Sequence, residues 1–155
     1  VKTLVNYRKV FFLEEIYSIT DGPPPEINLS NEKNNGLMVL KLINDKLVSS
    51  VHDISSGGLI LCMAEMTLNS DYGIKLNKPK SRSNLMEYYF SEDQGRYLIE
   101  IELDNLKKIN KILDENNIFN EIVGTVQKNY FEMTGEFKIN INDLYKTNNT
   151  WYNNL

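Results

Sequence analysis

The seven residues from His52 to Gly58, HDISSGG, place an imidazole, a carboxylate, two hydroxyls and two glycines side by side. An apolar run of helical character, LILCMAEM, follows them directly. A small-residue turn before a helix exposes backbone N–H groups that have no partner within the helix, and glycine lets an anion approach them closely. The segment therefore predicts a phosphate cradle formed by Ser55, Ser56, Gly57 and Gly58. An ordinary serine-capped helix entry is the alternative.

His52 is the only histidine of the chain, which limits the chemistry that it can do. A zinc site usually needs three or four protein ligands, so a histidine-rich zinc site is excluded. A Ser-His-Asp triad is not required either, because a triad is defined by spatial roles that neighbouring residues in a sequence do not reveal. We interpret His52 as a side chain that shapes the turn, with its ring satisfied by a nearby carbonyl.

A second polar cluster, SEDQGR from Ser91 to Arg96, lies between a predicted helix and a predicted strand. Gln94 and Arg96 can hold polar atoms of a ligand, and Glu92 can accept hydrogen bonds from hydroxyls or orient a cation. The alternative is a solvated loop in which Gly95 caps the preceding helix.

Helices and strands must position these two clusters. Residues 8–19 predict a strand, with a helix as the alternative, and the three prolines of DGPPPEINLS break any regular element. The other predicted helices run from a cap at Ser30 or Asn31 to 46, over 59–69, from a cap at Ser83 or Asn84 to 90, from a cap at Asp104 to 117, and from 142 to the end. The predicted strands are 47–54, 72–77, 96–103 and a late strand pair at 120–127 and 130–140. This order predicts an α+β or layered α/β fold.

Length and composition indicate a single globular domain, with 155 residues, 41% hydrophobic and 25% charged. The net charge of −4 argues against a protein that binds nucleic acid through its overall charge. No apolar run approaches the roughly 20 residues that span a bilayer, and the first residues lack the pattern of a signal peptide. Cys62 is the only cysteine, which excludes an internal disulfide and favours a reducing compartment. We expect a cytoplasmic protein that binds neither nucleic acid nor membrane.

Several motifs together resemble one family. HDISSGGL followed by AEM, FSEDQGR before a strand, and IVGTV are similar to segments of phosphoribosylformylglycinamidine synthase, the glutamine-dependent ligase of purine synthesis. GPPPEINL resembles the connection before the long helix of that family, and TNNTWYNNL resembles its closing tryptophan helix. The resemblance is to the last domain, which is of the AIR-synthetase C-terminal type. It covers residues 17–155, whereas residues 1–16 match poorly, and it implies a fragment of a larger synthetase.

The resemblance implies an α/β/α layered domain, partly ferredoxin-like. The implied enzyme uses ATP and magnesium to convert formylglycinamide ribonucleotide and ammonia to the amidine. The implied partners are the ATP-binding domain, the first repeat, a glutaminase and a small nucleotide substrate, and the implied catalytic and metal-binding residues lie outside this chain. The residues that match binding motifs of the family, and that are expected to face a phosphate, nucleotide or substrate, are Asp53, Ser55, Gly57 and Gly58 of one motif and Glu92, Gln94 and Arg96 of the other.

Two residues depart from the family pattern. Ser56 stands where the family often carries Asp or Glu, and Asp93 stands where it usually has Ser. Both departures fit a degenerate nucleotide site. The alternatives are the same domain from a relative, such as aminoimidazole ribonucleotide synthetase or selenophosphate synthetase, and a binding module that kept the fold without the chemistry.

Overall fold

Helices and strands are mixed along the chain in the computed structural model, which describes residues 11–20, 22, 26–68, 70–79 and 85–153. The helices are α1 (Phe11–Tyr17), α2 (Leu29–Asn44), α3 (Gly58–Thr67), α4 (Leu85–Phe90), α5 (Leu106–Glu115) and α6 (Ile141–Asn153). The strands are β1 (Ser50–Asp53), β2 (Tyr72–Leu76), β3 (Tyr97–Glu100), β4 (Gly124–Lys128), β5 (Tyr130–Met133) and β6 (Phe137–Asn140). The predicted α+β class is confirmed, and the α/β/α layering stays a prediction.

The chain divides into two compact units, of which the first comprises residues 1–62 and 86–121. In this unit β1 and β3 pair antiparallel, with Ser50 opposite Glu100 and Asp53 opposite Tyr97. Apolar side chains four residues apart on α2 and on α5, together with one that follows α2, form its core. The buried members of this core are Met38, Leu42, Leu47, Ile109 and Leu113.

The second unit comprises residues 63–85 and 122–155 and contains a four-stranded sheet in the order β4-β2-β5-β6. The predicted late strand pair is wrong in two respects. Residues 130–140 form two strands, β5 and β6, because the chain turns at Gly135, whose φ of +82° suits glycine. The strands β4 and β5 are not neighbours either, because β2 lies between them and pairs antiparallel with β4 and parallel with β5.

The predicted strand over 8–19 is wrong for residues 11–17, which form the helix α1. Residues 8–10 lie outside the described residues. Branched and aromatic side chains favour strands only where a neighbouring strand or a packed face receives them. Here the aromatic side chain of Phe12 instead stacks on Phe90, with 4.0 Å between the ring centroids.

Two predicted helix caps are also corrected. The side chain of Asn28, rather than Ser30 or Asn31, caps α2 by accepting a hydrogen bond from the Asn31 N–H at 3.0 Å. Asp104 lies within a 3-10 turn, Leu103–Asn105, that leads into α5. The predicted cap at Ser83 or Asn84 and the three prolines lie outside the described residues. Each helix within the described ranges falls short of the length and apolarity that a bilayer-spanning helix needs.

Two tyrosines are buried at the end of α4. The rings of Tyr88 and Tyr89 meet edge to face at 4.8 Å, and the Tyr88 hydroxyl donates to Glu121 Oε1 at 2.8 Å. Burial, and then the negative charge of Glu121, raise the pKa of Tyr89 above 10.0.

We therefore expect the free energy of unfolding to fall in alkaline solution. The unfolded chain releases the Tyr89 proton first, so the stabilisation is complete below pH 10 and is lost as the pH rises through the folded pKa. Urea titrations between about pH 9 and pH 11 measure the slope, which we expect to be smaller in Tyr89→Phe. Equal slopes in the two proteins would contradict the assignment to Tyr89.

Candidate functional site

The two polar clusters of the sequence meet in one open cleft of about 320 Å³ in the first unit. The antiparallel pairing of β1 with β3 brings them together, since the clusters lie at the end of β1 and the start of β3. The Ile54 N–H donates to the Arg96 carbonyl at 2.9 Å, which extends this pairing by one step. Predicted site residues that line the cleft are Asp53, Ser55, Ser56, Glu92, Gln94 and Arg96.

Gly57 and Gly58 are buried at the start of α3, and their geometry departs from the predicted phosphate cradle. The Gly57 N–H donates to Glu92 Oε1 at 2.7 Å, and the Gly58 N–H donates to the Ser55 carbonyl at 3.0 Å. The two glycine donors of the predicted cradle are therefore used within the protein. A Cβ at Gly58 would lie 2.6 Å from the Phe90 backbone, so the absence of a side chain permits the close packing of α3 on the end of α4.

The loop 91–96 is held by one hydrogen bond within the loop and one from α2. Arg96 Nη2 donates to the Ser91 carbonyl at 2.5 Å, and Asn35 Nδ2 on α2 donates to the Gly95 carbonyl at 2.9 Å. Gly95 has a φ of +69°, and a Cβ there would lie 3.0 Å from Glu32 Cα. The alternative interpretation, a helix cap at Gly95, is wrong, because α4 ends at Phe90 and Gly95 belongs to a later turn packed on α2.

Acidic groups dominate the charge of the cleft. Three carboxylates, on Glu32, Asp53 and Glu92, line it beside the single guanidinium of Arg96, which amounts to a formal charge of −2 (one minus three). Carboxylates accept hydrogen bonds from hydroxyls and repel phosphate groups. The cleft is therefore suited to a ligand part rich in hydroxyl groups rather than to a bare phosphate.

His52 is not one of the residues that line the cleft. Its Nδ1 lies 2.7 Å from the carbonyl oxygen of Asp53, the next residue. This contact agrees with the interpretation of a ring that is satisfied by a nearby carbonyl, and the role of His52 in shaping the turn stays a prediction.

Two lining residues, Glu32 and Tyr97, escaped the sequence analysis. Tyr97 directly follows Arg96 and is the first residue of β3. Its position beside the cluster could therefore have been predicted from the sequence. No sequence pattern indicates Glu32, because this residue lies on α2 and lines the cleft only through the packing of α2 on Gly95.

The family of the chain follows from residues 12–134, which match the AIR synthase related protein, C-terminal domain. The chain belongs to this family. It is 42% identical over 153 residues to the phosphoribosylformylglycinamidine synthase subunit PurL of Pelagibacter ubique (strain HTCC1062), an alignment that covers 99% of the chain and 21% of the relative. The chain thus spans about a fifth of the length of the curated relatives that it matches.

Solved structures share the fold. Phosphoribosylformylglycinamidine synthase II from Thermotoga maritima has a TM-score of 0.68 at 17% identity, and the match covers 79% of this chain and 22% of that one. PurLQS from Thermotoga maritima has a TM-score of 0.66 at 16% identity, over 89% of this chain and 24% of that one. At such identities the likeness concerns the fold alone.

Proposed function

We propose that the chain is the C-terminal domain of a phosphoribosylformylglycinamidine synthase. This ATP-dependent ligase converts formylglycinamide ribonucleotide and ammonia from glutamine to the amidine in purine biosynthesis. The observation that carries the proposal is the 42% identity to the Pelagibacter ubique subunit over nearly the whole chain. A lone binding module or another superfamily enzyme lacks comparable support.

The cleft is proposed to hold the hydroxyl-bearing part of the substrate or of an auxiliary nucleotide. Side chains with hydrogen-bonding atoms surround it, and its formal charge of −2 favours sugar hydroxyls over phosphate oxygens. Arg96 is the one cation of the lining and can attract a distal negative group of the same ligand. The residues proposed to contact this ligand are Asp53, Ser55, Ser56, Gln94 and Arg96.

ATP and magnesium belong to the whole enzyme in this proposal. A Thermotoga maritima PurL with this fold has been solved complexed with ATP. The acidic cleft does not fit a triphosphate, and no cluster of three His, Cys, Asp or Glu side chains in the described part of the chain can hold a metal ion. We therefore assign both cofactors, and the groups that transfer the phosphoryl group, to other domains of the enzyme.

The partner in the same enzyme is proposed to cover α2. This helix is apolar on two opposite sides, and Met38 and Leu42 on one side are buried in the core. The other side forms an apolar stripe of side chains that are 46–74% exposed, namely Leu29, Leu37, Leu40 and Ile43. A contiguous exposed apolar surface usually marks an interface. We propose that it packs against the remaining synthetase domains, which in turn receive ammonia from a glutaminase in the cytoplasm.

Activity assays on two proteins test the proposed function. We expect the isolated chain to show neither magnesium-dependent ATP hydrolysis nor amidine formation, since the electrostatic clamps of phosphoryl transfer lie elsewhere. In the full-length enzyme, Arg96→Met is expected to lower kcat/KM for formylglycinamide ribonucleotide by roughly 10- to 100-fold, the loss typical of a charged hydrogen bond. Steady-state kinetics measure both.

Lys107→Met is the matched control, because it removes a cation from an exposed position of α5 in the same unit. We expect it to leave kcat/KM unchanged, and circular dichroism checks that both variants fold. Turnover by the isolated chain would overturn the assignment of chemistry to other domains. Equal kinetics of the two variants would overturn the role of the cleft.

A further inference from the structure

We propose that the Glu92 carboxylate is a structural acceptor that links the glycine turn at residue 57 to the start of α1. In this role it positions the residues of the cleft instead of binding the ligand. Its Oε1 accepts the Gly57 N–H at 2.7 Å and the Phe11 N–H at 2.9 Å. The three residues come from distant parts of the sequence, so one carboxylate oxygen joins three chain segments.

The two donors share a structural position. Phe11 is the first residue of α1, and Gly57 directly precedes the first residue of α3. The N–H groups at a helix start lack partners within the helix and carry partial positive charge. A carboxylate is therefore a stabilising acceptor for both, and Glu92 serves two helix starts at once.

Packing around Glu92 supports the same role. The Phe12 ring stacks on the Phe90 ring at 4.0 Å, and Gly58 lies against the Phe90 backbone. The start of α1, the start of α3 and the end of α4 thus meet beside the carboxylate. A side chain at the centre of such a junction determines where the serines of the turn stand.

The role has a consequence for ligand binding. The Gly57 N–H can donate to an external anion only if the anion displaces the Glu92 carboxylate, which is fixed to the chain two residues after α4. Like charge opposes this displacement. Recognition of the ligand therefore falls to the other side chains of the lining, and the turn supplies a fixed backbone beneath them.

Amide hydrogen exchange, measured residue by residue with NMR on this chain without ligand, tests the role. In Glu92→Ala we expect the protection of Gly57 and Phe11 to fall together by about 10- to 100-fold, the range for hydrogen bonds to a charged acceptor. In Glu92→Gln, whose amide oxygen can still accept, we expect a smaller loss at the same two amides. The amides of α5 are expected to keep their protection.

Glu32→Gln is the matched control, because it removes the same charge from the same cleft. We expect it to leave the Gly57 and Phe11 amides protected. If Glu92→Ala does not fold, the comparison of Glu92→Gln with Glu32→Gln decides alone. Equal protection of the two amides in these variants would refute the role. Inorganic phosphate that changes the chemical shift of the Gly57 amide in a titration of the wild-type chain would also refute it, because the Gly57 N–H would then be available to an external anion. The measurement needs no ligand, so its failure leaves the proposed ligase function standing.

Discussion

Gly58→Ala is expected to lower the free energy of unfolding of the first unit by about 2–6 kcal/mol, through backbone strain and a steric clash. Gly58 has a φ of +69°, which residues with a Cβ rarely adopt. A Cβ at this position would lie 2.6 Å from the carbonyl carbon of Phe90 and 2.7 Å from the carbonyl oxygen of Tyr89. These are backbone atoms at the end of α4, so no change of rotamer can relieve the contact.

Gly135→Ala separates the two causes. Gly135 has a similar φ of +82°, but a Cβ there would meet no atom within 4 Å. Only the backbone strain remains, and we expect a loss of about 1–2 kcal/mol. Urea titrations followed by hydrogen exchange report each unit separately, since Gly135 lies in the second unit. Equal losses for the two variants would show that the contact with Phe90 does not limit residue 58.

The glycine turn shows what the sequence could and could not predict. The small residues correctly predicted a turn followed by a helix, and that helix begins at Gly58. The purpose of the glycines was not readable, because it depends on contacts with the distant residues Phe90 and Glu92. Gly57→Val, which the cradle hypothesis suggests as a test of ligand binding, would act on the fold instead. A Cβ at Gly57 would lie 2.5 Å from the Leu61 side chain.

The meeting of the two polar clusters was predictable only through the family resemblance. Neither cluster contains a local signal for the other, and the antiparallel pairing of β1 with β3 is what joins Asp53 to Tyr97. The negative charge of the cleft could not be predicted from the sequence for the same reason. Glu32 lies on α2, far from both clusters in the sequence, and its carboxylate changes the charge balance on which the choice of ligand depends.

Local patterns failed where tertiary partners decide the structure. The segment of α1 has the composition of a strand, but it lies beside Phe90 and Glu92 as a helix. Residues 130–140 were predicted as one strand because residues with a preference for strands lie on both sides of Gly135. The structure has a turn there, and the two halves pair with each other. In contrast, α5 follows its helical pattern, since Ile109 and Leu113 on one side of it are buried.

Two leucines of α2, two residues apart, are expected to lose very different amounts of stability on the same substitution. Leu42 is 1% exposed in the core, so Leu42→Lys buries an unpaired charge. It should lower the free energy of unfolding by more than a truncation to Ala, which costs about 2–5 kcal/mol. Leu40 is 53% exposed on the apolar stripe, and Leu40→Lys should change the free energy of unfolding by less than about 0.5 kcal/mol. Urea titrations measure this difference.

The apolar stripe predicts a second difference, in association. Because the isolated chain lacks the domains proposed to cover α2, we expect the wild type to self-associate at high concentration in sedimentation experiments. Leu40→Lys is expected to be monomeric there, and in the full-length enzyme to weaken the packing of this domain, seen as faster proteolysis between domains. Lys41→Leu, at an exposed position off the stripe, controls for hydrophobicity as such. If the wild type stays monomeric and Leu40→Lys leaves the full-length enzyme resistant to proteolysis, the stripe does not form the interface.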